Sequence, residues 1–247
     1  MSRVAVVTGG GSGMGESTCH ELGRRGHKVA VLDLDESAAQ RVADDLRADG
    51  VTAIGVGADV ADRAAMEDAF AKVRSELGPT TILVTSAGLF GFSPFVDLRI
   101  EDWERVIAVN LTGTFHACQL AVPDMLAVGW GRIIMISSSS AQRGSPEMAH
   151  YAASKGGVVS LTRSLAREYA PRGITVNNIP PSGIETPMQH QQQAAGILPP
   201  TEQMAANIPI GYLGTGDDIA AMVGFLSSEE ARFITGQTIG VNGGAVM

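Results

Sequence analysis

The sequence predicts an α/β protein built on a doubly wound parallel sheet of about seven strands with helices on both faces. Three observations carry that expectation. Short β-branched apolar runs alternate with longer amphipathic stretches, the alternation repeats six times, and a glycine-rich turn follows the first run.

The strand candidates, in order, are residues 4–7, 29–32, 53–56, 82–85, 132–137, 174–179 and 238–241. Each is short and apolar almost throughout, as strands buried on both faces require. The main helix candidates are 36–49, 63–77, 101–126 and 152–169. In the second, Met66, Phe70, Val73 and Leu77 recur at spacings of three and four and make one apolar stripe. Right-handed crossovers place such helices on both sides of the sheet. There is no linker composition and no repeat beyond the strand–helix unit, so 1–247 reads as one domain. The rhythm breaks at 181–216, where Pro181, Pro187, Pro199, Pro200 and Pro209 accompany a polar run at 189–193. A long irregular insertion reads as a lid over a substrate, with the glutamines on the wet face of a short helix.

Composition narrows the function. The chain carries a net charge of −8 without any Lys/Arg block, which argues against nucleic acid and anionic membranes as partners. Its two cysteines, Cys19 and Cys118, form neither a disulfide framework nor a metal-ligand spacing, and read as buried reduced thiols. No metal site is expected. No targeting signal is visible and no apolar run reaches the length of a membrane span, so a cytoplasmic protein with a small-molecule substrate is expected.

Directly after the first strand stands Thr8-Gly9-Gly10-Gly11-Ser12-Gly13-Met14-Gly15, and a helix follows. Glycines there let the backbone approach a pyrophosphate, and the helix start offers unpaired N–H groups and a positive dipole end. Asp33 ends the second strand, where a carboxylate can accept from adenosine ribose hydroxyls and would repel a 2′-phosphate. Neither Ser12 nor Leu34 is basic, so NAD is favoured over NADP. Asp35 is equally placed to cap the next helix, which frees Asp33 for the ribose.

Tyr151 and Lys155 lie four apart in a helical segment and share one face. A neighbouring ammonium is expected to lower the phenol's pKa and fit it for acid/base work on an alcohol or ketone. Ser138 follows the fifth strand, at the edge where open α/β sheets bind ligands, and can polarise the substrate oxygen. Spacing alone does not choose among the four serines at 137–140. Asn110 interrupts the apolar side of the preceding helix; it either holds a water that relays protons from Lys155 or is a plain structural Asn.

Together these residues resemble the short-chain dehydrogenase/reductase family over the whole chain. The family's glycine pattern matches Thr8, Gly9, Gly13 and Gly15, and its catalytic tetrad matches Asn110, Ser138, Tyr151 and Lys155, a spacing that selects Ser138. Asp59 and Val60 match the pair that contacts adenine, and Thr186 the threonine that meets the nicotinamide carboxamide. The resemblance implies a Rossmann-type fold, a homotetramer, and a cofactor site of Gly9, Ser12, Gly13, Met14, Gly15, Asp33, Leu34, Asp59, Val60, Ser86, Ala87, Gly88, Tyr151, Lys155, Pro181, Ile184 and Thr186. Three positions depart from the family pattern: Thr85-Ser86 before Ala87-Gly88, Ser182 after Pro181, and Asn242 before the last glycines.

The expected activity is NAD(H)-dependent interconversion of a secondary alcohol and a ketone. Leu89, Phe90, Phe92, Met148, Met188, Ile197, Leu198 and Met204 either wall an apolar pocket for an alicyclic or steroid-like substrate or cover the edge of the core. Reduction of a 3-oxoacyl thioester with NADPH is the alternative, suggested by Arg172 and the 184–188 stretch. A non-catalytic nicotinamide-binding sensor on the same fold is the remote one.

Overall fold

The computed structural model describes residues 2–247. Six parallel strands form one sheet in the order β3-β2-β1-β4-β5-β6: β1 Val4–Thr8, β2 Lys28–Asp33, β3 Ala53–Gly57, β4 Ile82–Thr85, β5 Gly131–Ile136 and β6 Ile174–Ile179. The order reverses between β1 and β4, which opens a crevice beyond their carboxyl ends, where open α/β sheets bind ligands.

The strand period of two divides the core into two layers. Val6, Leu32, Leu83, Ile133 and Val176 face helices α3 (Arg63–Glu76), α5 (Gly113–Val128) and α7 (Ala149–Tyr169). Val7, Val31, Val84 and Ile136 face the other way, toward α1 (Gly13–Arg24), α2 (Glu36–Ala48) and α10 (Gly216–Leu226). The stripe Met66, Phe70, Val73 and Leu77 is buried as its spacing predicts. Cys19 and Cys118 are free and buried; burial raises both thiols, that of Cys118 to about 12.

Two expectations are corrected. Residues 238–241 are not a seventh strand. Asn178 N–H donates to Gln237 O and Ile239 N–H to Asn178 O, a single parallel bridge beside β6. Gly236, in the left-handed region (φ +72), breaks the extended run just before the bridge, and Gly240 adds no side chain to pack beyond it. Second, Ile100–Val128 runs as one helical stretch of 29 residues, long and apolar enough by length and composition to cross a membrane. Half of its most apolar window is buried against the sheet, the use that a central α/β helix makes of such a sequence. Within it, α4 (Ile100–Ile107) and α5 are joined by a π-helical turn over Ala108–Thr112.

The 181–216 stretch carries two short helices, α8 (Pro187–Ala194) and α9 (Thr201–Ala205), stapled together by Gln193 Nε2 donating to Pro199 O and Thr201 Oγ1. The glutamines are not simply a wet face: Gln191 is exposed, Gln192 and Gln193 are half-buried, and Gln189 is buried. Thr186 caps α8 by accepting from Gln189 N–H, which starts the helix with Gln189 turned inward.

Candidate active site

From Thr8 the chain turns through four residues into α1. Gly9 sits in the left-handed region (φ +67), and a Cβ there would lie 2.7 Å from Ala87 Cα, so the glycine turn and the loop after β4 touch backbone to backbone. Gly11 N–H donates to Asp33 Oδ2 at 2.9 Å, which ties the turn to the end of β2. Ser12 caps α1 without spending its hydroxyl on the helix, and Gly13, Met14 and Gly15 of its first turn line a cleft. Glu16, an acid unhelpful to an anion at that helix start, is paired with Arg41 at 2.7 Å; Arg41 also donates to Gly11 O at 2.8 Å.

A cleft of about 450 Å³ lies over this turn. Gly9, Ser12, Gly13, Met14, Gly15, Asp33, Leu34, Asp59, Val60, Ser86, Ala87, Gly88 and Thr186 line it, thirteen of the positions anticipated for a cofactor. A Cβ on Gly13 (φ +53) would point across the cleft to 3.4 Å from Thr186 Cγ2. The missing side chain keeps the passage open over the helix start, and the cradle fits a dinucleotide pyrophosphate. Asp35 caps α2 by accepting from Ser37 N–H and Ala38 N–H, so Asp33 is spared that task. Arg105 is the only basic side chain lining the cleft.

Tyr151, Lys155, Pro181 and Ile184 line an adjoining cavity of about 310 Å³, which shares Met14, Ser86, Gly88, Leu89, Thr186 and Met188 with the cleft. Tyr151 stands on α7 one turn from Lys155, whose ammonium is 5.9 Å from the phenol ring centroid. Lys155 is buried and donates to Ile136 O at 2.9 Å, at the end of β5. Burial lowers its pKa to about 8. Burial likewise raises Tyr151, and the nearby Ser138 hydroxyl partly opposes that rise. This differs from the lowered phenol expected from the Tyr–Lys spacing: here the ammonium is held under the ring by a carbonyl, and desolvation wins.

Of the four serines, Ser138 alone is not buried. Ser137 donates to Asn178 Oδ1 at 2.6 Å, Ser139 N–H to Pro181 O, and Ser140 to Ser138 Oγ at 2.9 Å. Phe90 packs edge-on to Tyr151 with centroids 6.1 Å apart. Leu89, Phe90, Phe92, Met148, Met188, Leu198 and Met204 line the cavity as walls; Ile197 does not, and lies 51 % exposed over a separate surface hollow beside α8.

Asn110 lines neither cavity. It is fully buried in the π turn; its Nδ2 donates to Leu89 O (2.8 Å) and Ser154 Oγ (3.0 Å), and its Oδ1 accepts from Leu89 N–H (2.8 Å). The side chain pins the loop after β4 to α7, and its backbone carbonyl accepts from Thr114.

The three departures are accommodated locally. Ser86 N–H donates to Thr8 O, so the backbone anchors the loop. Ser182 has an ordinary conformation because Gly183 takes the left-handed one (φ +61). Asn242 donates to Val246 O and accepts from Gly244 N–H, which an aspartate could do only in part.

Sequence reasoning missed Arg105 in the cleft and Arg143, Ser145 and Gln189 in the cavity. Arg105 shares a helix face with Ala108 and Val109, a signal that is readable only once α4 is known to flank the crevice.

A sheet whose order reverses over a glycine cradle, with a Tyr–Lys turn beside it, defines an oxidoreductase of CH–OH and keto groups that uses a nicotinamide cofactor. The chain belongs to that family: the short chain dehydrogenase model matches residues 3–196. It is 39% identical to 2-(S)-hydroxypropyl-CoM dehydrogenase 3 of Xanthobacter autotrophicus, over 98% of this chain and 96% of that protein. It is also 39% identical to the 3-oxoacyl-[acyl-carrier-protein] reductase FabG of Escherichia coli, over 99% and 98%. Among solved structures, gox2181 superposes with a TM-score of 0.93 at 34% identity, covering 99% of this chain and 95% of that one.

Proposed function

We propose that the protein interconverts a small, mainly apolar secondary alcohol and its ketone with NAD(H). The observation that carries this reading is the meeting of Ser138, Tyr151 and Lys155 at one end of a cavity with apolar walls. In this reading Ser138 and the Tyr151 phenol both hydrogen-bond the substrate oxygen. Tyr151 takes the hydroxyl proton during oxidation and returns it during reduction. When bound, the nicotinamide supplies the acceptor or donor of the hydride at the carbinol carbon. Lys155 provides positive charge beneath the phenol as negative charge develops there. Asn110 positions: it fixes Leu89, and through it Gly88, against α7. The cavity shares its rim with the cleft, so a compact alicyclic ketone suits it better than a steroid.

NAD is favoured because Asp33 lines the cleft at the ribose end and no basic residue follows it at Leu34. The 181–216 stretch serves as the lid, since Met188, Leu198 and Met204 roof the cavity from it. Phe95, Val96 and Ile100 are largely exposed at the start of the long helix, which supports the homotetramer.

A second reading, reduction of a 3-oxoacyl thioester, is favoured by the full-length relationship to FabG. Initial rates with NADH and NADPH on an alicyclic ketone, a steroid ketone and acetoacetyl-CoA separate the two. Turnover of the alicyclic ketone with NADH is expected; preference for acetoacetyl-CoA with NADPH would replace it by the thioester reading.

A further inference from the structure

The cavity holds more hydrogen-bond donors than the movement of one proton uses. Arg143 ends the short helix α6 (Ser140–Arg143) and lines the cavity. Arg143 is exposed where it lines the cavity, and among the described residues its guanidinium, like those of Arg105, Arg163, Arg167, Arg172 and Arg232, has no side-chain partner. Gln189, 6 % exposed, lines the same cavity, and its Nε2 is buried without an acceptor. A buried donor left unpaired is destabilising, so the site is short of an acceptor. No aspartate or glutamate lines the cavity, and the other cation there, Lys155, is committed to Ile136 O.

Arg143 is also held in register with the reacting end. Its N–H donates to Ser139 O at 3.1 Å and Gly144 N–H to Ser140 O at 2.9 Å, while Ser140 Oγ and N–H donate to Ser138 Oγ. One short turn thus fixes both the Ser138 hydroxyl and the base of the arginine. The two donor centres differ in kind: one guanidinium and one neutral amide suit a single negative charge, since a dianion would want a second cation.

We propose that the natural substrate is an oxo or hydroxy acid: a keto or secondary alcohol carbon on a compact apolar body whose monoanionic group, a carboxylate, pairs with Arg143 and accepts from the Gln189 amide. This rests on the oxidoreductase reading above and names its substrate class. The apolar walls take the body, Ser138 and Tyr151 take the reacting oxygen, and Arg143 selects among otherwise similar ketones.

The test is a matched pair, 4-oxocyclohexanecarboxylate and its methyl ester, reduced with NADH by the wild type, Arg143→Ala and Gln189→Leu. The wild type is expected to favour the acid in kcat/KM by about tenfold or more, an advantage that shrinks as salt is added. Arg143→Ala should cut the acid-to-ester ratio by about tenfold, mainly through KM, and Gln189→Leu by about threefold. Damage to the fold would lower both rates together and leave the ratio intact. Equal kcat/KM for the pair in the wild type, or a ratio unchanged in Arg143→Ala, would overturn the proposal. If the wild type turns over neither compound, the ketone reading fails separately, and calorimetric titration of each into the enzyme with NADH decides the anion question. Tighter binding of the acid, lost in Arg143→Ala, supports the proposal; equal binding defeats it.

Discussion

Asn110 and Leu89 are joined by two reciprocal hydrogen bonds, each 2.8 Å, between a side-chain amide and a backbone N–H and C=O. The pair imitates a strand rung across a helix and a loop. It sets Gly88, where a Cβ would lie 3.3 Å from both Asn110 Oδ1 and Lys155 Nζ. The amide is therefore upstream of the ammonium's surroundings without touching the cavity.

Replacing Asn110 by Ala leaves the half-buried N–H and C=O of Leu89 without their partner. Each carries a desolvation cost of about 1–3 kcal/mol, so a loss of roughly 2–4 kcal/mol in unfolding free energy is expected. At about 2–4 °C per kcal/mol for a chain of this size, calorimetry should show Tm lowered by roughly 5–15 °C. An unchanged Tm in Asn110→Ala would show that the rung bears no load.

Tyr151→Phe removes the only phenol in the cavity and preserves the ring that packs on Phe90. Turnover should fall by about 10²–10⁴-fold, while cofactor affinity, read from NADH fluorescence, changes little. Parallel loss of both would mean that the residue shapes the cleft rather than moving the proton.

Burial of Lys155 makes stability depend on pH with a definite sign. Its pKa falls from 10.5 unfolded to about 8 folded. Between these values the unfolded chain binds more protons than the folded one, so stability rises with pH across that window. The cost of burying the charge, on the order of 3 kcal/mol below pH 8, is relieved as pH rises. Tyr151 acts oppositely: its raised pKa makes stability fall as pH climbs above 10. Urea unfolding at pH 8 and pH 9.5 should therefore show the wild type gaining on Lys155→Met at the higher pH. Identical pH slopes for the two proteins would show that the ammonium is not desolvated.

The fold was largely legible because its signals are local and redundant. Strands buried on both faces must be apolar throughout, and the α3 stripe has a helical period that no strand can use. The glycine turn was legible because Gly9 and Gly13 occupy conformations that a side chain would strain. What escaped depends on long-range packing. Residues 238–241 carry a strand's composition, but the bridge to β6 stops between two glycines. Ile197 is as apolar as its neighbours, and only the path of α8 places it outside the cavity. Arg143 and Gln189 carry no local pattern; only the fold brings them to one cavity. The shift of Tyr151 went the other way from expectation because a four-residue spacing fixes where Lys155 starts and not where its ammonium ends.

Asp33 holds the glycine turn and lines the cleft at once, and the two roles separate by substitution. Asp33→Asn keeps an oxygen for Gly11 N–H, gives up the second acceptor that Asp35 N–H uses, and removes the charge that opposes a 2′-phosphate. Asp33→Ala removes both. If charge sets cofactor choice, both variants should lose preference for NADH over NADPH by about 10–100-fold, that is roughly 1.4–2.8 kcal/mol. If the turn matters as well, Asp33→Ala alone should weaken binding of both cofactors, because Gly11 N–H then lacks its partner and the cradle loosens. Adding Leu34→Arg to Asp33→Asn supplies the missing cation beside the ribose and should turn the preference toward NADPH. Steady-state KM and kcat for each cofactor, at fixed ionic strength, read all of these. An Asp33→Asn enzyme with unchanged NADH preference would place the discrimination elsewhere in the cleft, with Arg105 the first residue to replace.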